Sequence, residues 1–309
     1  MYARLIAKSS LPVLALAATI LSTAAQAQQT FASPDEAAAA LAAAARANDP
    51  QAITKVLGKR GSDIVASGDP VADADLRKQF VTSYEQKHDV KVDGSKATLI
   101  IGNDDFPLPI PLVQRDNRWQ FDTVSGRQEI LARRIGRNEL AAIQAALAYV
   151  DAQNEYAEKD RTGAGPGVYA QRIVSTGGKK DGLFWPAAQG EDESPLGDRF
   201  AEASREGYRP GATPIPYHGY RFKVLTRQGS NAPGGTLNYV AGGKMIGGFA
   251  LVAYPAEYGN SGVMTFLVRH DGVVLQKDLG PQTAKVAPRM TSYDPDKTWT
   301  KVADTDLTQ

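Results

Sequence analysis

The sequence predicts an α+β protein in which N-terminal helices with a small antiparallel sheet precede a long helix packed on a C-terminal antiparallel sheet. Three observations carry this. Helix-start chemistry recurs three times between Ser33 and Pro70, and the apolar pattern then shortens to runs of strand length up to Asp122. A long segment of helical periodicity from Ser125 to Tyr156 follows, with four more strand-like runs behind it.

Ser33-Pro34-Asp35-Glu36 supplies a hydroxyl cap, a proline at the first helical position and acids in the first turn, which predicts a helix to about Arg46. Asn48-Asp49-Pro50 starts a second, short helix ending at Gly58, and Gly68-Asp69-Pro70 a third that runs to about His88 with Leu76, Phe80 and Tyr84 at steps of four. Residues 97–101, 108–113 and 118–122 read as strands, and 90–92 as an edge strand. Pro107, Pro109 and Pro111 remove alternate ladder donors, so their stretch reads as an edge strand or an extended connector.

Ser125-Gly126-Arg127-Gln128 has capping-box spacing, and Leu140, Ile143, Leu147 and Val150 form one apolar stripe on the helix that follows. Gly136 and Asn138 predict an interruption midway. Arg127, Arg133, Arg134 and Arg137 read as a solvated face, with an anion site as the alternative. Residues 162–217 read as a partly ordered loop, pinned by Phe184-Trp185-Pro186 and by Tyr208, Tyr217 and Tyr220. Strands are expected at 220–226, 248–254, 263–270 and 273–277, the last two joined through Asp271-Gly272 as a tight hairpin. In that hairpin Met264, Phe266, Val268 and His270 share the face expected to meet the core.

The chain divides on this reading into a signal peptide at 1–27, an α+β unit at 28–124, and a second unit at 125–309. Arg4 and Lys8 precede an apolar run, and Ala25-Gln26-Ala27 is a small-x-small processing site, so cleavage is expected between Ala27 and Gln28. The alternative is an uncleaved membrane anchor. Pro12 within the run favours a signal, and a periplasmic or secreted location follows. Zero cysteines exclude a lipoprotein, disulfides, thiol catalysis and thiolate metal sites. Taking Arg4 and Lys8 from the 35 Lys+Arg leaves one fewer basic residue than the 34 acidic ones, with no basic stripe, which argues against nucleic-acid binding.

Six segments carry a resemblance: FDTVSGRQEILARRIGRNELAAIQAAL, YVDAQNEYA, DGLFWP, PYHGYRFKVLTRQG, GGKMIGGFALVAYPAEYGNSGVMTF and DGVVLQKDLG. Together they resemble the bacterial family of domain of unknown function 2950, over about Phe31 to Trp299. The resemblance implies an exported protein and transfers no catalytic residue. A local one covers Gly219-Tyr220-Arg221-Phe222, the strand from Phe249 to Pro255, Gly259-Asn260-Ser261-Gly262, Phe266 and Asp271-Gly272, whose order is similar to the sheet of pilin-like proteins. The N-terminal membrane helix of pilins is not matched.

No motif for nucleotide or zinc chemistry is present. Gly242-Gly243-Lys244 lacks the upstream glycine of a phosphate loop, Gly163-Ala164-Gly165-Pro166-Gly167 lacks dinucleotide-loop spacing, and there is no nucleophile elbow or His-Glu-x-x-His. No cofactor is expected. His88, His218 and His270 are the acid–base candidates, with His218 singled out between Tyr217 and Tyr220 where the long loop enters the sheet. Asp104-Asp105 and Glu191-Asp192-Glu193 could bind a hard cation, and Glu257 with Asp278 could pair for glycoside chemistry; solvated loops and turn-stabilising roles compete. Trp119, Trp185 and Trp299 read as core or loop anchors before sugar platforms.

The leading expectation is therefore a non-enzymatic envelope interaction or scaffold protein with an unidentified envelope partner or ligand. A glycan or small-ligand binding module using Trp185, Tyr217, His218 and Glu257 is the second reading. An envelope hydrolase is the third.

Overall fold

The computed structural model describes residues 28–209 and 215–303. The expected signal at 1–27, including Ala27, lies outside the described residues. Gln28 is within them, its Nε2 donating to the carbonyls of Val56 (3.2 Å) and Phe121 (2.7 Å).

The N-terminal part holds α1 (Pro34–Arg46), α2 (Pro50–Leu57), a single-turn α3 (Ser62–Val65) and α4 (Pro70–Gln86). The three longer helices start as their sequences dictate: Ser33, Asp49 and Asp69 accept from the first-turn amides, with proline just behind. Glu36 returns the favour at α1 by accepting from Ala32 N at 3.0 Å. Behind them come β1 (His88–Asp93), β2 (Lys96–Ile101), β3 (Phe106–Pro107), β4 (Leu112–Arg115) and β5 (Arg118–Phe121), all antiparallel, in the order β1-β2-β4-β5 with β3 also on β2. Five strands thus stand where three and an edge strand were expected, the additional one being β3. The proline stretch lies along β2, where Leu108 N between the prolines donates to Leu99 O at 2.8 Å. The core here joins the alanine face of α1 with Ile53, Val56, Leu112, Trp119 and Phe121.

Next comes α5 (Thr123–Glu158), 36 residues without a break. It starts earlier than expected, because Asp122 rather than Ser125 caps it, accepting from Ser125 N. Gly136 and Asn138 lie inside it. Asn138 does not compete for the helix backbone, since its side-chain amide donates to Ser261 O at 2.8 Å, and tertiary packing outweighs the glycine's cost of about 1 kcal/mol. At Gly126 a side chain is sterically barred: a Cβ would stand 2.5 Å from Pro109 O.

Further on lie α6 (Gly197–Glu206), β6 (Tyr220–Leu225), the two-residue strands β7 (Arg227–Gln228), β8 (Leu237–Asn238), β9 (Val240–Ala241) and β10 (Lys244–Met245), then β11 (Ala250–Pro255), β12 (Met264–Arg269), β13 (Leu275–Asp278), the single-turn α7 (Thr283–Val286) and β14 (Thr300–Lys301). The main C-terminal sheet has the antiparallel order β14-β13-β12-β11-β6. It forms one core with the C-terminal half of α5, through Ile143, Ala146, Tyr149 and Val150.

Two expectations about the β12–β13 hairpin change. Phe266 and Val268 are buried as expected, but Thr265, Leu267 and Arg269 of the opposite face are buried too. The C-terminal segment covers that face: the Arg269 guanidinium sits 5.5 Å from the Tyr293 ring centre, and Lys277 lies 5.9 Å from that of Trp299. The connection is also wider than a two-residue turn, since pairing ends at Leu267–Leu275 and Asp271 is occupied by Arg269 Nε (2.8 Å) and Val273 N (3.1 Å). His270 is exposed.

The basic cluster is the largest correction. Arg134 is buried rather than solvated, donating to Asp63 O (2.7 Å), Ile64 O (2.6 Å) and Asn260 Oδ1 (2.5 Å). One guanidinium thus joins α3 to the turn before β12. Arg127 pairs with Asp63, and Arg133 with Glu129 on the exposed helix face. Arg134→Ala leaves two half-buried carbonyls and a buried amide oxygen without this donor, and should lower stability by about 3 kcal/mol, on the order of 10 °C in midpoint. Arg133→Ala should stay within about 0.5 kcal/mol. Thermal unfolding of the two variants side by side checks this, and equal effects would overturn it.

Candidate binding cleft

The segment at 162–217 contains the helix α6, which the loop reading missed. Its signals are local: Asp198 in the first turn, Arg205 in the last, and Gly207 ending it at φ +109°. Phe200 of α6 stacks on Phe184, ring centres 4.0 Å apart and nearly parallel, which fixes the helix against the preceding loop.

Beyond α6 the chain enters β6 through a two-residue turn. Tyr217 and Tyr220 exchange both backbone hydrogen bonds (2.9 and 3.0 Å) around His218 (φ +46°) and Gly219 (φ +73°). Positive φ at both central residues is the twist-matched hairpin geometry. Gly219 is sterically required as well, since a Cβ there would stand 2.5 Å from Asn138 Nδ2 and 3.0 Å from Ser261 Cβ.

A buried carboxylate holds this turn. Asp69 Oδ1 caps α4 through Val71 N and Ala72 N, both 3.1 Å, while Oδ2 accepts from Gly219 N (2.9 Å) and the Tyr208 hydroxyl (2.8 Å). The Tyr208 oxygen in turn accepts from His218 N at 3.2 Å. Burial first, and the bond to Asp69 next, push the Tyr208 phenol well above its ordinary range, so it stays a donor at any physiological pH. His218 Nε2 meets Glu206 Oε2 at 3.1 Å, tying the last turn of α6 to the hairpin.

Between α5, α6 and the start of β6 lies a cleft of about 740 Å³. Small side chains of α5, Ala141, Ala145 and Ala148, leave the room. Leu196, Phe200, Tyr220 and Leu251 add apolar surface, and Val174 and Ile215 stand exposed at its edge. Arg199, Glu202, Glu206, Arg209 and Arg221 also line it, together with Tyr208, Tyr217 and His218. Apolar lining with a few convergent polar groups, in this size range, makes the cleft the candidate site of the structure.

Of the four residues singled out by sequence, Tyr217 and His218 come together here. Trp185 does not line the cleft. It is buried against Tyr156, its Nε1 donates to Asp192 O at 3.0 Å, and the Arg161 guanidinium lies 5.7 Å from its ring centre. Glu257 lies at the junction with the N-terminal part, Oε2 accepting from Asn260 Nδ2 at 2.8 Å, while Asn260 also donates to Ala66 O. Asp278 accepts from the Tyr258 hydroxyl (3.2 Å) and Gly280 N (2.7 Å). The His88 ring stacks on Tyr84, and Trp119 is buried in the N-terminal core. The loop acids Asp105 and Asp192 pair with Lys87 and Lys159, each at 2.6 Å. Among the described residues no cluster of three His, Cys, Asp or Glu could hold a metal ion, and no helix is long and apolar enough to cross a membrane.

Two substitutions test the anchoring of the turn. Tyr208→Phe deprives Asp69 Oδ2 of a buried donor and should cost about 1–3 kcal/mol in denaturant unfolding. Gly219→Ala combines positive φ with a clash and should cost at least as much, about 2 kcal/mol or more. A Tyr208→Phe protein as stable as the parent would remove the Asp69 anchor from the account.

No curated protein and no solved structure matches the chain, pilin-like proteins included. Residues 28–302, nearly all of the described chain, match one family profile, and the chain belongs to that family, described as protein of unknown function (DUF2950).

Proposed function

We propose that this protein is an exported, non-enzymatic binding protein of the bacterial envelope that takes a small amphipathic ligand in the cleft between α5, α6 and β6. The observation that carries the reading is the cleft: about 740 Å³ floored by alanines and rimmed by charge. An apolar body buried there leaves water, at roughly 25 cal/mol per Å² of surface removed, while the rim orients a polar end. The anchored turn supports it, because a site whose wall is already held loses little conformational freedom on binding. The hydrolase reading has less support, since Glu257 and Asp278 are each engaged in holding turns.

A panel of octyl amphiphiles should raise the thermal midpoint. At a concentration one hundred times Kd the native state gains about 2.7 kcal/mol, on the order of 5–10 °C. Ala145→Trp or Ala148→Trp, which fill the cleft from α5, should abolish that rise. A rise that survives both substitutions, or a panel with no active member, overturns the reading.

Export is tested separately. The first 27 residues have the charge, apolar run and Ala25-Gln26-Ala27 site of a signal, and the family match begins where the signal ends, at Gln28. Intact-mass measurement of the protein recovered from the periplasm or medium should give a chain starting at Gln28. An uncut chain retained in the cytoplasm would remove the export reading and leave the cleft untouched.

A further inference from the structure

We propose that the ligand of the cleft carries a cationic head, an amine or quaternary ammonium, seated against Tyr208, Tyr217 and His218 beneath Glu202 and Glu206. The inference rests on the small-ligand reading above and names its chemistry.

The geometry is that of an aromatic corner. The Tyr217 and His218 rings meet at 75° with centres 4.3 Å apart, the Tyr208 and Tyr217 rings at 68° and 5.0 Å, and all three line the cleft. Rings at near-right angles present π faces from two directions, and a cation over such a face is attracted by the ring quadrupole. Ammonium groups carrying alkyl substituents suit the corner best, because they are weakly hydrated and lose little on leaving water.

The charges acting on the two tyrosines of the corner are mostly negative, and Glu206 also meets His218 Nε2 at 3.1 Å. Glu206 and Glu202 both line the cleft, and their field adds to burial in pushing the Tyr217 phenol up to about 12, opposed by Arg199. Arg199 in turn lies 3.5 Å from Glu202. The charges acting on Tyr208 are those of Asp69 and Glu206. Arg209 and Arg221 also line the cleft, Arg221 beside Tyr254 in the sheet, but neither is among the charges that act on Tyr208 and Tyr217. From the corner an alkyl tail has an apolar path past Ala145 and Ala148 toward Phe200 and Leu196.

Calorimetric titration of the purified protein with octyltrimethylammonium, octanoate and octanol separates head-group charge from tail burial at constant tail length. The cation should bind about tenfold more tightly than the alcohol, and octanoate more weakly than either. Glu206→Gln and Tyr217→Leu should each bring the ratio of cation to alcohol affinity to within about threefold, whereas Tyr217→Phe, which keeps the π face, should preserve it. Tightest binding of octanoate, or equal binding of cation and alcohol, overturns the cationic head and leaves the small-ligand reading standing. If none of the three binds, both readings fall.

Discussion

One carboxylate joins the two ends of this structure. Asp69 is fully buried, and a buried charge of that kind is tolerable only when hydrogen-bonded on all sides. One oxygen caps α4, and the other holds the amide of Gly219 and the hydroxyl of Tyr208, 150 and 139 residues further along the chain. A local device of helix initiation thereby becomes a long-range one. The wall of the cleft is set by the start of a helix in the N-terminal part, and the corner formed by Tyr208, Tyr217 and His218 cannot shift without unmaking bonds to a charge that has nowhere else to go.

A second junction runs parallel to the first through α5. Its N-terminal half reaches the N-terminal core through Ile130, and its C-terminal half lies in the core of the C-terminal sheet. Between them Arg134 spans from α3 to Asn260, with Asp73 and Glu257 contributing favourable charge. Burial lowers the affinity of Arg134 for its proton and raises that of Asp73, so each group makes the burial of the other tolerable. Such an arrangement adds little net stability over an apolar one, yet it admits one relative placement of the two cores. Specific placement is what a cleft needs when one of its walls, the turn at Gly219, is anchored by Asp69 of the N-terminal part.

How much of this was legible follows from the range over which each cause acts. Helix starts at Ser33, Asp49 and Asp69 could be read because a cap, a proline and an acid act within one turn, and the strands of the N-terminal sheet because alternation is local too. The break expected at Gly136 and Asn138 failed since propensity is weaker than packing: Asn138 spends its amide on Ser261, far away in sequence. Arg134 looked like its neighbours, and nothing within a helical turn tells a buried arginine from Arg133 beside it. Of the site, Tyr217 and His218 were visible as aromatics at the mouth of the sheet, while Trp185 shared that aromatic signal and proved to be packing. The partners of Tyr208 and the room above Ala145 depend on contacts between distant segments, which no local pattern encodes. The helix α6 is different, for Gly207, Asp198 and the Leu196, Phe200, Ala203 spacing were all present within a run otherwise dominated by glycine and proline.

The placement of α6 explains why the cleft is open. None of its residues is fully buried, so its attachment rests on the Phe184–Phe200 stack at one end and on Tyr208 and the Glu206–His218 contact at the other. Its apolar stripe faces α5 across a floor of alanines too short to reach it. Larger residues on α5 would close that gap and add to the core at about 0.8 kcal/mol per buried methylene. The chain instead leaves Val174 and Ile215 exposed beside the gap, a loss of burial that an occupant would recover. Stability forgone at one site, beside a wall fixed by buried charge, is what the proposed binding role calls for, since natural chains break a local packing rule where a site needs the room.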